Sequence, residues 1–504
     1  MTSKASADGS SPFVNSGPDE QADPELGPGF ARKLLVAAIP AVLIGLLIRA
    51  WLLRSALLPF NADEAITGLQ AIEVLNGTFR LVVAGNQYGS TTESYLFAPL
   101  LLVWSGPWPL RVGTILLSVV AAYALYRLAR PTVGRTVAVV VGLVGWTLSG
   151  AIVAVWSHPY MGYPSGFIAQ VVTLTLACHA MRTTQHLART AFFGGLAAGF
   201  AIWSHPMFGV AALLALVAPT VLRWRHLRSW WLPVVGGGVV GVSPWLVFMI
   251  GNGLPVGPAI QSTYSQRIEL FFIDLMPRVL GVRAPNGIWL NPSWLAVGVV
   301  GIVVIGSLCG LVILTVKRGA EAVPILVTGV LVYPVLALFP ALNYAADGRY
   351  GVPFVPTVLM GLAAWALLLP NRVRTSPWLV VVIPTTWALA LCVPVMHHQI
   401  GWTTENPDAG AEQVTAILRE RDVHYLGGYY WGVYLIDYLA GGTLVVRPDD
   451  VVRFPDEAEQ FAAADPANVA YIYNTGQSPV LPLPTDRYSQ VTVGNWDLYL
   501  PKGN

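Results

Sequence analysis

The sequence predicts a polytopic all-α membrane protein with a small α/β domain at its C-terminal end. Three observations predict it. Of 504 residues, 55% are hydrophobic and only 11% charged, a balance that excludes an ordinary soluble protein. Apolar runs of the roughly 20 residues needed to cross a bilayer recur between Lys33 and Val395. Beyond residue 397 the pattern turns hydrophilic, and residues 397–504 hold 14 of the 27 acidic side chains.

Residues 1–30 are rich in Ser, Gly, Pro and acid and read as a disordered cytoplasmic tail. They lack the basic-then-apolar order of a cleaved signal peptide, so the first span is expected to stay as an anchor. The membrane region, about 31–396, has spans near 33–53, 110–129, 133–155, 164–182, 190–204, 206–222, 230–250, 294–316, 321–340, 352–369 and 377–395. That makes eleven, although 190–222 also reads as one broken element. With the tail inside, the inner ends carry Arg32/Lys33, Arg127/Arg130/Arg135, Arg182/Arg189, Arg223/Arg225/Arg228, Lys317/Arg318 and Arg372/Arg374. Every inner loop is then basic, as the positive-inside rule requires. The expected place is the plasma (inner) membrane, multi-pass, with the N-terminus cytoplasmic and the C-terminal domain extracytoplasmic.

The outer domain, 397–504, alternates in pattern. Ala409–Arg421 reads as helix, His424–Tyr430 as strand, Leu435–Leu439 as helix and Thr443–Val446 as strand. Asp456–Ala464 reads as helix, Val469–Tyr473 as strand, and Gln490–Leu500 as a hairpin turning at Gly494-Asn495. Such alternation predicts a small α/β fold. It has no phosphate-cradling glycine motif and no nucleophile elbow. Its Tyr429-Tyr430-Trp431 cluster is either an aromatic core or a ligand contact after a strand.

Composition also excludes partners. A net charge of +2 says nothing about nucleic acid, but no basic patch is interleaved with stacking aromatics in the way a nucleic-acid reader needs. Cys178, Cys309 and Cys392 lie within spans, which offers buried packing but neither a disulfide framework nor a metal spacing.

The chemistry points to the outer side. The membrane region holds eight carboxylates: Asp63, Glu64, Glu73, Glu93, Glu269, Asp274, Glu321 and Asp347. All but Glu321 fall outside, and four crowd the loop 54–109. Carboxylates near hydrocarbon are costly and mark function. Within this loop Ile66, Leu69, Ile72 and Leu75 repeat every third residue, which predicts an amphipathic helix lying on the membrane. Tyr95–Trp104 is a second candidate. Asn61 can cap the helix with Glu64 completing a capping box, an account that suits Glu64 better than Asp63. Glu93 brings a further carboxylate beside Tyr88, Ser90 and Tyr95. A carboxylate held here can act as general base toward an acceptor hydroxyl, and Asp63 is the candidate.

Two further features need weighing. Trp156-Ser157-His158-Pro159 and Trp203-Ser204-His205-Pro206 stand 47 residues apart at outer ends of spans. Interfacial Trp and helix-ending Pro explain such a repeat; the alternative is that His158 and His205 meet to bind a phosphate or a metal. The outer segment 252–293 carries Arg267, Glu269, Asp274, Arg278 and Arg283.

The succession Asp63-Glu64-Ala65 after the first span, then Gly85-Asn86-Gln87-Tyr88-Gly89-Ser90 and Glu93-Ser94-Tyr95, resembles membrane glycosyltransferases of the GT-C fold. Gly348-Arg349-Tyr350-Gly351-Val352-Pro353, entering a span from outside, is similar too. The likeness covers about 33–395 and is greatest to the protein O-mannosyltransferase and aminoarabinose-transferase branch, glycosyltransferase family 39. It implies transfer of a sugar, with inversion, from a polyprenyl-phosphate carrier to an acceptor on the extracytoplasmic side: a glycan, a lipid or a protein. On that carry-over Asp63 activates the acceptor, and Glu64 and Glu93 orient acceptor or sugar. Arg349 meets the carrier phosphate, unless it anchors or pairs with Asp347. Tyr88, Tyr95, His158, His205, Arg278 and Arg283 are further substrate-binding candidates. No cofactor is assigned, and a divalent metal stays open. Membrane lipids are the remaining partner. The rival reading is a transporter or lipid-linked sugar flippase, but the mid-span regions are almost free of charge and the long first loop has no counterpart in a second half.

Overall fold

The computed structural model describes residues 28–53, 60–147, 152–153, 156–183, 185–253, 262–283, 289, 292–339, 348–392 and 409–502. Most of the expected tail, Asp347, and the stretch 393–408 with the expected start of the outer domain lie outside them, as does the side chain of Cys392. The helices of the membrane region are α1 (Pro28–Leu53), α2 (Ala62–Leu75), α3 (Thr92–Leu101), α4 (Trp108–Val133), α5 (Arg135–Thr147), α6 (Tyr163–Arg182), α7 (Leu187–Ser204), α8 (Pro206–Leu222), α9 (Leu232–Asn252), α10 (Tyr264–Leu270), α11 (Ser293–Arg318), α12 (Val323–Leu336), α13 (Val355–Ala364) and α14 (Trp378–Trp387).

Each expected span contains a helix. Six helical stretches among the described residues are long and apolar enough to cross a membrane: α1, α4, α6, Leu227–Asn252, Ser293–Leu336 and Gly348–Leu368. Shorter apolar helices, including α5 and α8, accompany them. The chain is a multi-pass membrane protein; the stretch Ser293–Leu336, 44 residues long, covers two of the expected spans, and these stretches do not by themselves confirm the count of eleven. The 190–222 region is two helices, because Pro206 cannot continue α7 and starts α8 instead.

Glycine decides how closely these helices approach. Gly195 and Gly199 of α7 face Gly237 and Gly241 of α9. A side chain at Gly195 would lie 2.0 Å from the Val234 carbonyl, and one at Gly241 2.2 Å from the Leu196 carbonyl. Small residues four apart give the backbone-to-backbone packing that membrane helices use without a hydrophobic drive. Arg49 of α1 is buried over the Trp146 ring, 3.7 Å from its centre, and donates to the Trp146 carbonyl at 2.9 Å. A charge in this setting thus serves the carbonyl end of α5.

The helix ends separate polar groups. Arg182, closing α6, pairs with Glu321 at 2.5 Å, and Arg318 donates to the Thr132 carbonyl at 2.5 Å. Twenty residues of α6, about 30 Å at the helical rise, divide that end from the opposite one, where Glu93 meets the start of α6.

The C-terminal part has α15 (Ala409–Glu420), α16 (Tyr430–Leu439), α17 (Pro455–Ala462) and a five-stranded sheet, β1 (Tyr425–Gly428), β2 (Val445–Pro448), β3 (Val469–Asn474), β4 (Tyr488–Val493) and β5 (Trp496–Pro501). Strand order is β2-β1-β3-β5-β4. The first three run parallel, with Tyr425 level with Val445 and Val469, and β4–β5 is an antiparallel hairpin. The expected turn at Gly494-Asn495 is present, Gly494 taking φ +58°. Helix α16 begins at Tyr430, five residues before the expected Leu435, so the aromatic cluster opens a helix rather than ending a strand.

Three expectations need correction. The apolar face of α2 is covered by protein, not lipid. Ile66 and Leu69 belong to one core with Val433, Ile436 and Tyr438 of α16, and a side chain at Gly68 would strike the Tyr438 ring. Every-third-residue spacing marks a buried face but does not say what buries it. Cys309 is exposed on α11, unlike the buried Cys178, because its side of the helix faces outward. Trp156, likewise, is buried edge-on to Phe167, with ring centres 4.9 Å apart, so it packs inside instead of anchoring at an interface.

Candidate active site

The acidic loop folds around two left-handed glycines. Gly85 (φ +66°) and Gly89 (φ +95°) take a backbone that side-chained residues avoid, and the Val83 N–H donates to the Gly89 carbonyl at 3.0 Å. This tight turn carries Asn86 and Tyr88 inward. A side chain at Gly85 would also meet the Arg453 Cα at 2.6 Å, so the glycine lets the C-terminal part dock. The Ser90 N–H donates to the Ser204 carbonyl at 3.1 Å, tying the loop to the second Trp-Ser-His-Pro repeat.

Here a cavity of about 150 Å³ brings Asp63, Asn86, Tyr88, His205, Arg349 and Arg453 together. Asp63 is its only carboxylate among the described residues. It stands in the first turn of α2, its Oδ2 3.9 Å from Arg349 Nη1, and its Oδ1 accepts from the Tyr430 hydroxyl at 3.5 Å. The Arg349 guanidinium lies 5.2 Å from the ring centre of Tyr160, 5.8 Å from that of Tyr350 and 5.9 Å from that of Tyr163, an aromatic cage suited to a cation. Gly351 lets this segment in, since a side chain there would lie 2.0 Å from Val279. Burial, seconded by the Asp63 charge and opposed by Arg453, pushes the Tyr430 hydroxyl up to about 12, so it stays protonated. His205 packs against Tyr88 and Tyr163, and its Nδ1 accepts the Met207 N–H at 3.3 Å. The ring proton then belongs on Nε2.

The other candidates stand outside the cavity wall. Glu64 is fully buried and pairs with Arg111, Nε at 3.2 Å and Nη2 at 3.4 Å, and with His158 Nδ1. Only half of the capping box forms: the Asn61 side chain accepts the Glu64 N–H at 3.1 Å, while the Glu64 carboxylate turns to the ion pair. Burial opposes that carboxylate's charge, yet His158 and Arg111 together outweigh it and hold the group below its ordinary range. Glu93 is buried too and accepts the Gly162 N–H at 2.9 Å and the Ser165 N–H at 3.1 Å, a carboxylate at the helix start where free N–H groups want one. Burial still pushes its carboxyl up, against these bonds. The Tyr95 hydroxyl donates to the Arg80 carbonyl. Arg278 and Arg283 both hold Asp274, at 2.6 Å and 2.9 Å. His158 and His205 thus have different surroundings, and no group of three metal-ligating side chains occurs among the described residues.

Sequence reasoning did not single out Asn86, Tyr160, Tyr163, Tyr350 or Arg453 as site residues, and weighed Tyr430 only within the Tyr429-Tyr430-Trp431 cluster. Asn86 and Tyr350 lay inside the quoted motifs, and Tyr160 follows the first Trp-Ser-His-Pro repeat directly. Arg453 has no local signal, because it reaches Asn86 across 367 residues.

No family model matches this chain, and no curated protein matches it in sequence. Solved structures do match in shape. ArnT from Cupriavidus metallidurans, bound to undecaprenyl phosphate, superposes with a TM-score of 0.59 at 13% identity, covering 94% of this chain and 98% of that one. Its apo form gives 0.58 at 12% identity, covering 94% and 97%. The oligosaccharyltransferase from Archaeoglobus fulgidus in the apo form gives 0.50 at 12% identity, covering 88% and 69%. These are GT-C fold glycosyltransferases. The fold that the acidic first loop resembles is therefore the fold this chain shares with them over 94% of its length: GT-C.

Proposed function

We propose that this chain is an integral-membrane glycosyltransferase that moves a sugar, with inversion, from a polyprenyl-phosphate carrier to an acceptor on the extracytoplasmic side. One observation carries the reading. The segment Gly348–Phe354 borders two cavities of opposite character. Arg349 and Tyr350 line the polar one beside Asp63, and Phe354 lines an apolar groove of about 230 Å³ between α10, α11, α12 and α13. A phosphate head on a prenyl tail has that polarity. The undecaprenyl phosphate bound to the similarly folded ArnT agrees with it.

In the proposed step the acceptor hydroxyl oxygen attacks the anomeric carbon from the side opposite the phosphate. A new carbon–oxygen bond forms as the anomeric bond to the phosphate oxygen breaks. The acceptor's proton passes to Asp63, and the bonding pair leaves with the polyprenyl phosphate, whose charge Arg349 meets. A single carboxylate in the cavity suits direct displacement, since a double displacement needs a second nucleophile. Glu64 and Glu93 act by positioning: Glu64 locks α2 to α4 and to His158, and Glu93 holds the Gly162-Tyr163 corner beside Arg349.

Arg349→Ala should abolish turnover or raise the KM for the lipid-linked donor, and Arg349→Lys should rescue it only in part because the planar fork is lost. The test of the function is donor choice by the purified protein, together with mass spectrometry of surface glycans from a strain that lacks it. Equal use of a soluble nucleotide sugar without any lipid carrier would overturn the donor. Eleven crossings with an inside N-terminus put the C-terminal domain outside. Cysteine introduced at Ser478, an exposed loop residue, should then react with a membrane-impermeant reagent in intact cells. Labelling that requires permeabilised cells would refute the odd number of crossings.

A further inference from the structure

The cavity holds two guanidinium groups, Arg349 and Arg453, against one carboxylate. Arg349 stands next to that carboxylate. Arg453 does not: among the described residues no carboxylate lies within ion-pair distance of it. Its Nε donates to the Tyr430 hydroxyl at 3.0 Å and its Nη1 to Asn86 Oδ1, both neutral partners that orient the guanidinium without cancelling its charge. Its backbone is pinned as well, by the N–H bond to the Tyr434 hydroxyl at 2.6 Å and by the close approach of Gly85.

The acids nearest in sequence are engaged elsewhere. Asp449 accepts from Tyr473 at 2.9 Å, Asp450 accepts the Val451 N–H at 2.8 Å, and Asp456 and Glu457 lie nearer the Arg80 guanidinium, whose charge they favour. A positioned, charge-uncompensated guanidinium on a cavity wall is a receptor for phosphate or carboxylate.

The order of contacts says whose anion it meets. Arg349 touches Asp63, Asp63 touches the Tyr430 hydroxyl, and that hydroxyl accepts from Arg453. Asp63 thus stands between the two cations. Arg349 belongs to the segment that also borders the apolar groove, whereas Arg453 belongs to the hydrophilic domain. We propose that Arg453 is a second anion-binding point that selects acceptors bearing a phosphate or a carboxylate, separate from the hydroxyl that receives the sugar. The word acceptor rests on the glycosyltransferase reading; the anion site does not.

The test uses the full-length protein in nanodiscs, saturated with undecaprenyl phosphate to fill Arg349. Glucose 1-phosphate, glucuronate and uncharged glucose serve as probes, read by saturation-transfer NMR. At least one charged probe should bind 5-fold or more better than glucose. Arg453→Gln should remove that preference while changing undecaprenyl phosphate affinity less than twofold, and Arg453→Lys should restore part of it. A preference that survives Arg453→Gln overturns the proposal. So does one that vanishes from the unaltered protein once undecaprenyl phosphate is added, or a loss of lipid affinity in Arg453→Gln equal to that in Arg349→Gln. If undecaprenyl phosphate does not bind the unaltered protein at all, the donor reading fails, while the charged-probe comparison still decides the role of Arg453.

Discussion

Asp63→Asn should lower turnover by about 100-fold or more, the scale on which loss of a general base is felt, while the protein stays folded. The substitution removes the charge and almost no volume. Asn can still accept from the Tyr430 hydroxyl, which now lies at 3.5 Å. What it loses is the attraction to Arg349 at 3.9 Å and the ability to take a proton. Asp63 is partly exposed, with side-chain accessibility of 22%, so this ion pair adds little to stability. Thermal unfolding close to that of the unaltered protein, together with the lost turnover, is the expected pair of results. Near-normal turnover of the purified variant would remove Asp63 from the chemistry.

Glu64→Gln should show the opposite profile, a large loss of stability. Glu64 and Arg111 are both almost wholly buried, and His158 closes the group. Taking away one partner leaves a buried guanidinium uncompensated, which costs about 3–5 kcal/mol. The expected signs are a low folded yield and a lowered unfolding temperature. Glu64→Gln combined with Arg111→Met should recover much of the loss, because the orphaned charge goes too. A stable Glu64→Gln with poor turnover would instead give Glu64 a direct chemical part. The pH dependence has a definite sign. The folded carboxyl lies below its ordinary value of 4.5, so its stabilisation is complete above that value and is lost as pH falls through the lower folded value.

The paired predictions rest on a distinction that the sequence suggested through the cap but whose cause, the Arg111 and His158 partners of Glu64, it did not show. Asp63 and Glu64 are adjacent acids in one helical turn, and the capping pattern that favours Asp63 as the base says nothing of where either side chain goes. Successive residues on a helix point about 100° apart, so one reaches the cavity while the other reaches Arg111. Which does which depends on what lies beside α2. Glu93 makes the same point: its position in an acidic loop was legible, but its engagement with the start of α6 needed Gly162 and Ser165 brought from 69 and 72 residues away.

The sequence by itself determined the elements. Apolar runs of span length became helices, alternation in the last hundred residues became a mixed sheet, and Gly494-Asn495 became its hairpin turn, because these signals are local and physical. It also pointed to the acidic loop, since carboxylates are too costly in hydrocarbon to be scattered. Only the tertiary structure decided what covers α2, why Gly85 and Gly89 flank Asn86 and Tyr88, and that the C-terminal part sends Tyr430 and Arg453 into the cavity. Those facts arise from packing between segments hundreds of residues apart. Periodicity and composition report a residue's own neighbourhood along the chain, not the partner that burial brings to it.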